Sequence, residues 1–442
     1  MAWRGIFVWW GVVGLAVGVA SWRGVSCAQE FEQEPISYSR TAPQNRVSEL
    51  IEQIEAGWSP LEYEPTFGYL RSLLRHLSVP ESSQTLVFSK TSLQRPRIAP
   101  HAPRALYFSD DIYVGYCQQG EVLEISAVDA RLGAVFYTLR QVADERPQLV
   151  RQTDNCLICH ASAMTRDVPG YMIRSVYTDA SGEPVLSAGT HRIDHTSPLA
   201  DRWGGWYVTG THGDQSHLGN LVVRQDQVPK PNTPHDGMNL VSLGDRFDAT
   251  AYLSSHSDLV ALMVLEHQAD AHNLIARANF LTRQAMHFQT SLNRELGEPV
   301  NQVWDSTRSR IRHANEPLVE YLLFSSEASL RRPIAGTTSF AAEFPQRGPR
   351  DSRGRSLREL DLERRLFKYP CSYLIYSPAF RGLPSESRDY VLGRIADILS
   401  GRERDAKFSH LTTTDRQAIA DILRETLPDL PASWPKTVAS SL

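Results

Sequence analysis

The stretch Arg104–Val128, "RALYFSDDIYVGYCQQGEVLEISAV", decides the fold. Three runs within it, 104–109, 111–118 and 121–128, are rich in β-branched and aromatic residues. Such residues fit a pleated, half-buried surface better than a helix. Gln119-Gly120 separates the second and third runs and reads as a hairpin turn. Runs of the same character lie at 84–92 ("QTLVFSKTS") and 134–140 ("AVFYTLR"). Further along, "YMIRSVY" (171–177) and "PVLSAGT" (184–190) flank "TDASGE" as a second hairpin. "GGWYVTG" (204–210) and "GNLVVRQ" (219–225) are further strand candidates. The first half of the chain is therefore β-rich.

Helical patterning brackets this region. Residues 47–54 and 69–77 carry leucines and isoleucines at helical spacing. From Ser255 onward, Val260, Met263, Val264, Ala271, Leu274, Ala278, Leu281 and Ala285 form one stripe at period 3.6. Further helices are expected at 300–325, 387–399 and 414–427, the last capped by Thr413 or Thr414. The arginine-rich 331–356 reads as irregular, and "QVPKPNTPHDG" (227–237) as proline-rich and polar. The expected class is α+β, with a loose arm over 29–44 and a β-rich domain over 45–226. A linker follows over 227–254, and then a helical domain over 255–442 that packs on the first. No internal repeat is present.

The chain has 442 residues, is 41% hydrophobic and carries a formal net charge of -4. That is ample for a large core, and the absence of a basic field argues against nucleic acid as a partner. Near the N-terminus, Arg4 precedes the apolar run Gly5–Ala20, and small residues stand at Ser26 and Ala28. This pattern reads as a secretory signal over 1–28, cleaved after Ala28. The run is shorter than the ~20 residues that span a bilayer. No other run is long enough, so no span is expected in the mature chain. Gly24-Val25-Ser26 is a poor lead-in for a lipoprotein site at Cys27. The expected location is periplasmic or otherwise exported.

Five cysteines occur, and loss of Cys27 leaves four. Cys117 and Cys371 are isolated, and pair as a disulfide only if the fold brings them together. Cys156 and Cys159 form a C-x-x-C with His160 directly after, in "TDNCLICHAS" (153–162). A thioredoxin-like dithiol needs a βαβ context, which hairpins do not supply. Structural zinc and iron–sulfur sites need four ligands, and only one close pair exists. C-x-x-C-H with covalent haem remains. Two thiols on one helical turn reach two vinyl groups, and the following histidine lies under the iron.

"NCLICHAS" resembles the haem-binding signature of c-type cytochromes. By that resemblance Cys156 and Cys159 are the thioether positions and His160 the proximal ligand of one haem c. "RALYFSDDIYVGY" (104–116) and "RWGGWYVTGTHG" (202–213) also look like parts of a group of large, exported, single-haem cytochrome c-domain proteins. This second resemblance covers most of the mature chain and brings no reaction with it. Small soluble cytochromes c carry the motif near the start of a compact helical domain. Here a long β-rich segment precedes it, so that simple helical fold is not expected.

The sixth iron position separates electron transfer from ligand chemistry. Met164, Met172, Met238, Met263 and Met286 follow the motif, with no methionine between 173 and 237. That interval holds histidines instead. His212 and His217, then His195, are the expected distal candidates, beside Gly204, Gly205 and Gly210, which permit close approach, and Trp203, Trp206 and Tyr207. His267 and Met263, one helical turn apart, are less favoured candidates. "EHQADAH" (266–272) is not a zinc-protease motif, because its histidines are five apart. Arg166, Arg174 and Arg192 are candidates for pairing with haem propionates. The expected function is single-electron transfer with an unidentified redox partner protein. A haem enzyme or sensor, peroxidase-like or small-ligand-binding, is the alternative, favoured by a chain larger than a carrier needs.

Overall fold

The computed structural model describes residue 1 and residues 27–435, except 59, 60, 225, 231 and 433. The expected signal segment lies almost wholly outside the described residues.

Two short helices come first. Helix α1 (Arg46–Glu55) opens on a capping box between Asn45 and Ser48, and buries Val47, Leu50 and Ile54. Helix α2 is Leu70–His76. Strands β1 (Thr85–Val87), β2 (Arg104–Phe108), β3 (Ile112–Tyr116), β4 (Val122–Asp129), β5 (Gly133–Arg140) and β6 (Leu149–Gln152) follow. Then come the single-turn helix α3 (Leu157–His160), strands β7 (Arg174–Val176) and β8 (Thr190–Arg192), and β9 (Trp206–Tyr207). One antiparallel sheet has the order β6-β5-β4-β3-β2-β1-β9, and β7-β8 is a separate hairpin. Gln119 takes a left-handed φ of 55° in the β3–β4 turn that its pairing with Gly120 foretold. The fold is thus α+β, with a seven-stranded antiparallel sheet in the N-terminal half and helices in the C-terminal half.

The second half opens with α4, Leu259–Leu296, a helix of 38 residues. Asp258 caps its start by accepting from Val260 N and Ala261 N, and Gly297 ends it in the left-handed conformation. Then come α5 (Asp305–Leu322), α6 (Phe340–Glu343), α7 (Pro378–Arg381), α8 (Ser385–Ser400) and α9 (Thr413–Thr426). The α9 cap is Thr412, one residue before the expected positions, because Thr412 and Asp415 close a capping box.

The sheet is covered on both faces. On one face Leu86, Tyr107, Val114, Ile125 and Val135 share a core with Leu50, Leu73 and Leu74 of α1 and α2. On the other, Val87, Phe108 and Phe136 share a core with Leu262, Leu265 and Ala269 of α4. Burial on both faces explains why the strands read as near-continuous apolar runs.

Several sequence expectations need correction. The 29–44 segment is not a loose arm. Phe31, Ile36 and Tyr38 are buried, and the Tyr38 hydroxyl donates to Ala134 O at 2.8 Å. The described residues of 227–254 form no regular strand or α-helix, but the segment is no free tether. Leu243, Phe247, Ala251 and Tyr252 are buried, and Tyr252 donates to Pro103 O at 2.8 Å. No strand forms over the described part of 219–225. The second hairpin does turn over 178–183, with Thr178 bridging Pro184 and Val185 N donating to Tyr177 O at 2.7 Å, and its regular ladder pairs 174–176 with 190–192, past the expected end at 190. Cys117 and Cys371 are separately buried free thiols, one at the end of β3 and the other in the helical core. No helix among the described residues is long and apolar enough to cross a membrane.

Candidate functional site

Alternation along the strands puts Arg104, Leu106, Tyr113, Gly115, Glu124, Ser126, Phe136 and Thr138 on one face of the sheet. Register aligns Leu106, Gly115, Glu124 and Thr138 across four strands, and Tyr113, Ser126 and Phe136 in the next row. Helix α4 covers part of this face, where Gln268 Nε2 donates to Ser109 O at 2.7 Å and to the Tyr113 hydroxyl at 2.9 Å. The remainder is the floor of a cavity of about 510 Å³. That volume lies within the range of ~300–1,000 Å³ typical of cofactor sites. Its walls are mainly apolar, with Phe136, Tyr171, Ile173 and Leu265 among them.

The C-x-x-C-H motif borders this cavity. Strand β6 leads into it, and α3 winds one turn from Cys156, with His160 N donating to Cys156 O at 2.9 Å. That turn brings Cys156, Cys159 and His160 to the cavity wall and leaves Ile158, between the cysteines, 77% exposed. His160 Nδ1 lies 2.9 Å from Gly170 O. A carbonyl only accepts, so Nδ1 carries the proton and Nε2 holds a free lone pair. Nε2 has no hydrogen-bond partner among the described residues. The ring packs on Phe136, with centroids 4.8 Å apart. Burial lowers the His160 pKa, outweighing the Gly170 carbonyl, so the ring is neutral and basic at Nε2. Burial also pushes the Cys156 thiol up to about 11. A redox dithiol wants the opposite shift.

Charged groups gather at the cavity as well. Arg104 pairs with Glu124 at 2.5 Å, and Glu124 also accepts from Ser92 Oγ at 3.0 Å. Arg104 Nε is buried and has no partner. Lys90, Arg95 and Arg174 line the cavity, as does Glu183. Four cations against two carboxylates leave two positive charges there.

The expected distal residues lie elsewhere, and none of them lines the cavity. His195 and His267 bond each other, Nδ1 to Nδ1 at 2.8 Å, and His267 Nε2 lies 2.8 Å from Ser372 Oγ. His212 Nε2 accepts from Asn239 N at 3.1 Å, and His217 Nδ1 from Gly219 N at 3.0 Å. Met263 is buried in the α4 core. The neighbouring glycines do serve close approach, but to the chain itself. A Cβ on Gly204 would stand 2.9 Å from Val176 N, and one on Gly210 2.7 Å from Ala335 O. Of the three arginines, Arg174 lines the cavity, whereas Arg166 and Arg192 both bind Asp270. Met172 is the only methionine among the described residues lining the cavity.

Sequence reasoning missed Arg104, Glu124 and Gly170. The first two left a signal, since each is a charge at an inward-facing position of a strand. Gly170 left none, because its role depends on what the chain packs against it. Among the described residues no three His, Cys, Asp or Glu side chains group to hold a metal ion. That result counts side-chain ligands and does not bear on a porphyrin, which brings its own nitrogens. Comparison with family models, with curated proteins and with solved structures finds no match to this chain.

Proposed function

We propose that the chain is an exported monohaem c-type cytochrome that carries single electrons. One observation carries the reading: Cys156, Cys159 and a neutral His160 with a free Nε2 all line one largely apolar cavity. The residues fit the group. Cys156 and Cys159 would hold a haem by thioethers, and His160 Nε2 would face the iron. The apolar walls exclude water from a macrocycle, and the two surplus positive charges match two propionates. Arg104 Nε, buried without a partner, is a ready donor for one of them. When bound, the haem supplies a one-electron ferric/ferrous couple. Met172 offers a thioether within the same cavity for the sixth position. The secretory pattern expected over residues 1–28 agrees with the reading, because haem c is attached outside the cytoplasm in bacteria.

A second reading, a haem enzyme or sensor, is favoured by the Arg104–Glu124 pair, a polar couple in an otherwise apolar cavity. The ferric spectrum separates the two. A low-spin iron indifferent to cyanide supports the carrier, and a high-spin iron that binds cyanide supports the enzyme or sensor.

The test of haem itself is expression with a periplasmic c-type maturation system, followed by a pyridine haemochrome. A covalent haem stoichiometric with protein is expected, and Cys156→Ala abolishes normal attachment. A colourless wild-type protein, or unaltered attachment in Cys156→Ala, overturns the reading.

A further inference from the structure

The peptide unit joining Gly170 to Tyr171 is held from both sides. Its carbonyl accepts from His160 Nδ1 at 2.9 Å. Its N–H donates to Asn273 Oδ1 at 2.7 Å, and Asn273 Nδ2 donates onward to Tyr171 O at 2.6 Å. Asn273 is fully buried on α4, in the opposite half of the chain. The approach is close: a Cβ on Gly170 would stand 2.2 Å from Asn273 Oδ1.

One turn earlier on the same face of α4, Asp270 grips the other end of this loop. It accepts from Arg166 Nε at 2.9 Å and Arg166 Nη2 at 2.6 Å. Arg166 and Asp167 both have φ of 61°, a left-handed conformation that non-glycine residues adopt at a cost. The loop is thus clamped to α4 at two points, and the carbonyl that orients His160 cannot drift.

Hydrogen bonds in a chain polarise one another. An acceptor on the N–H of a peptide unit makes its carbonyl a better acceptor. A better acceptor on Nδ1–H makes the imidazole a stronger donor at Nε2. We propose that Asn273 is a positioning residue that sets the electron affinity of the haem through the Gly170–Tyr171 peptide. This rests on the haem reading above. A stronger imidazole donor favours the ferric state, so loss of Asn273 raises the reduction potential.

The test uses the full-length holoprotein. Asn273→Leu keeps the volume and removes both bonds, and Gly170→Ala displaces Asn273 from the loop side. Each is expected to shift the ferric/ferrous equilibrium about tenfold towards ferrous, which is about 59 mV for one electron. Asn279→Ala is the control. Asn279 lies on the same helix and donates to Ala130 O and Gly382 O, away from the motif. Its ferric/ferrous equilibrium stays within threefold of wild type. In wild-type protein the Tyr171 amide exchanges with solvent as slowly as the core of α4. Three results overturn the proposal: a shift under threefold in both folded variants, an equal shift in Asn279→Ala, or a fast-exchanging Tyr171 amide. The exchange measurement decides even if neither variant folds. A wild-type protein without haem sinks the haem reading instead, and the haemochrome shows this first.

Discussion

The Nδ1 atoms of His195 and His267 lie 2.8 Å apart, one donating to the other, deep in the α4 core. Burial holds both rings well below the ordinary histidine range, does the same to His217, and lowers His272 to about 4. Unfolded histidine titrates near 6.5. Below that pH the unfolded chain takes up protons that the native rings refuse, so stability falls as pH falls. His272 contributes down to about pH 4, at up to ~1.4 kcal/mol per pH unit. Glu266 and Glu327 oppose this. Burial raises each to about 7, so their contribution is lost as pH rises from about 4.5 to 7. Four histidines outweigh two carboxyls. The urea midpoint is therefore expected to be lower at pH 5 than at pH 6.5, and an equal or higher midpoint at pH 5 contradicts the assignment.

Glu266 has a second consequence. It accepts from Arg202 at 2.8 Å and from the Trp203 indole, and the Arg202 side chain is only 2% exposed. Removing one partner of a buried pair strands the other charge, which costs about 3–5 kcal/mol. Above pH 7, where Glu266 is ionised, Glu266→Gln is expected to lower unfolding stability by about 3 kcal/mol in a urea titration. A loss under about 1 kcal/mol would show that Arg202 keeps enough from His195 O and Ser197 O alone.

Met172→Ala tests the sixth position. If the chain carries haem c as proposed, covalent haem content should stay at the wild-type level, because Cys156 and Cys159 are untouched. A low-spin ferric iron held by Met172 would then change to a form that binds cyanide readily. An unchanged spectrum removes Met172 from the iron.

Cys117 and Cys371 supply a chemical check. Burial pushes each thiol up to about 12, and neither is bonded to another sulfur. Iodoacetamide should leave both unmodified in the native protein and label both after denaturation without reductant. A mass that shows no labelling of the denatured chain would mean they are joined.

Local chemistry decided what could be read early. The strands 104–140 were legible because their apolar residues pack on both faces, and the Gln119-Gly120 turn because of its backbone demand. The C-x-x-C-H turn was legible because one helical turn fixes where Cys156, Cys159 and His160 point. The histidines of 190–220 could not be placed from sequence for the opposite reason, and they lie away from the cavity. Composition cannot show that Gly204 and Gly210 make room for backbone rather than for a ligand. Nor could spacing show that Asp270 gathers Arg166 and Arg192, since those contacts join residues far apart in the chain. The packed 29–44 arm was missed because Phe31, Ile36 and Tyr38 stand singly among polar neighbours.

The late position of α4 in the chain also governs the order of assembly. Strands β1 to β9 are synthesised before residues 259–296 exist. Until that helix arrives, the face bearing Phe108 and Phe136 has no lid and is a surface on which nascent chains can aggregate. Docking of α4 then closes the face and locks the Gly170–Tyr171 peptide in one event. A chain halted before residue 259 would be left with an open, adhesive half-protein.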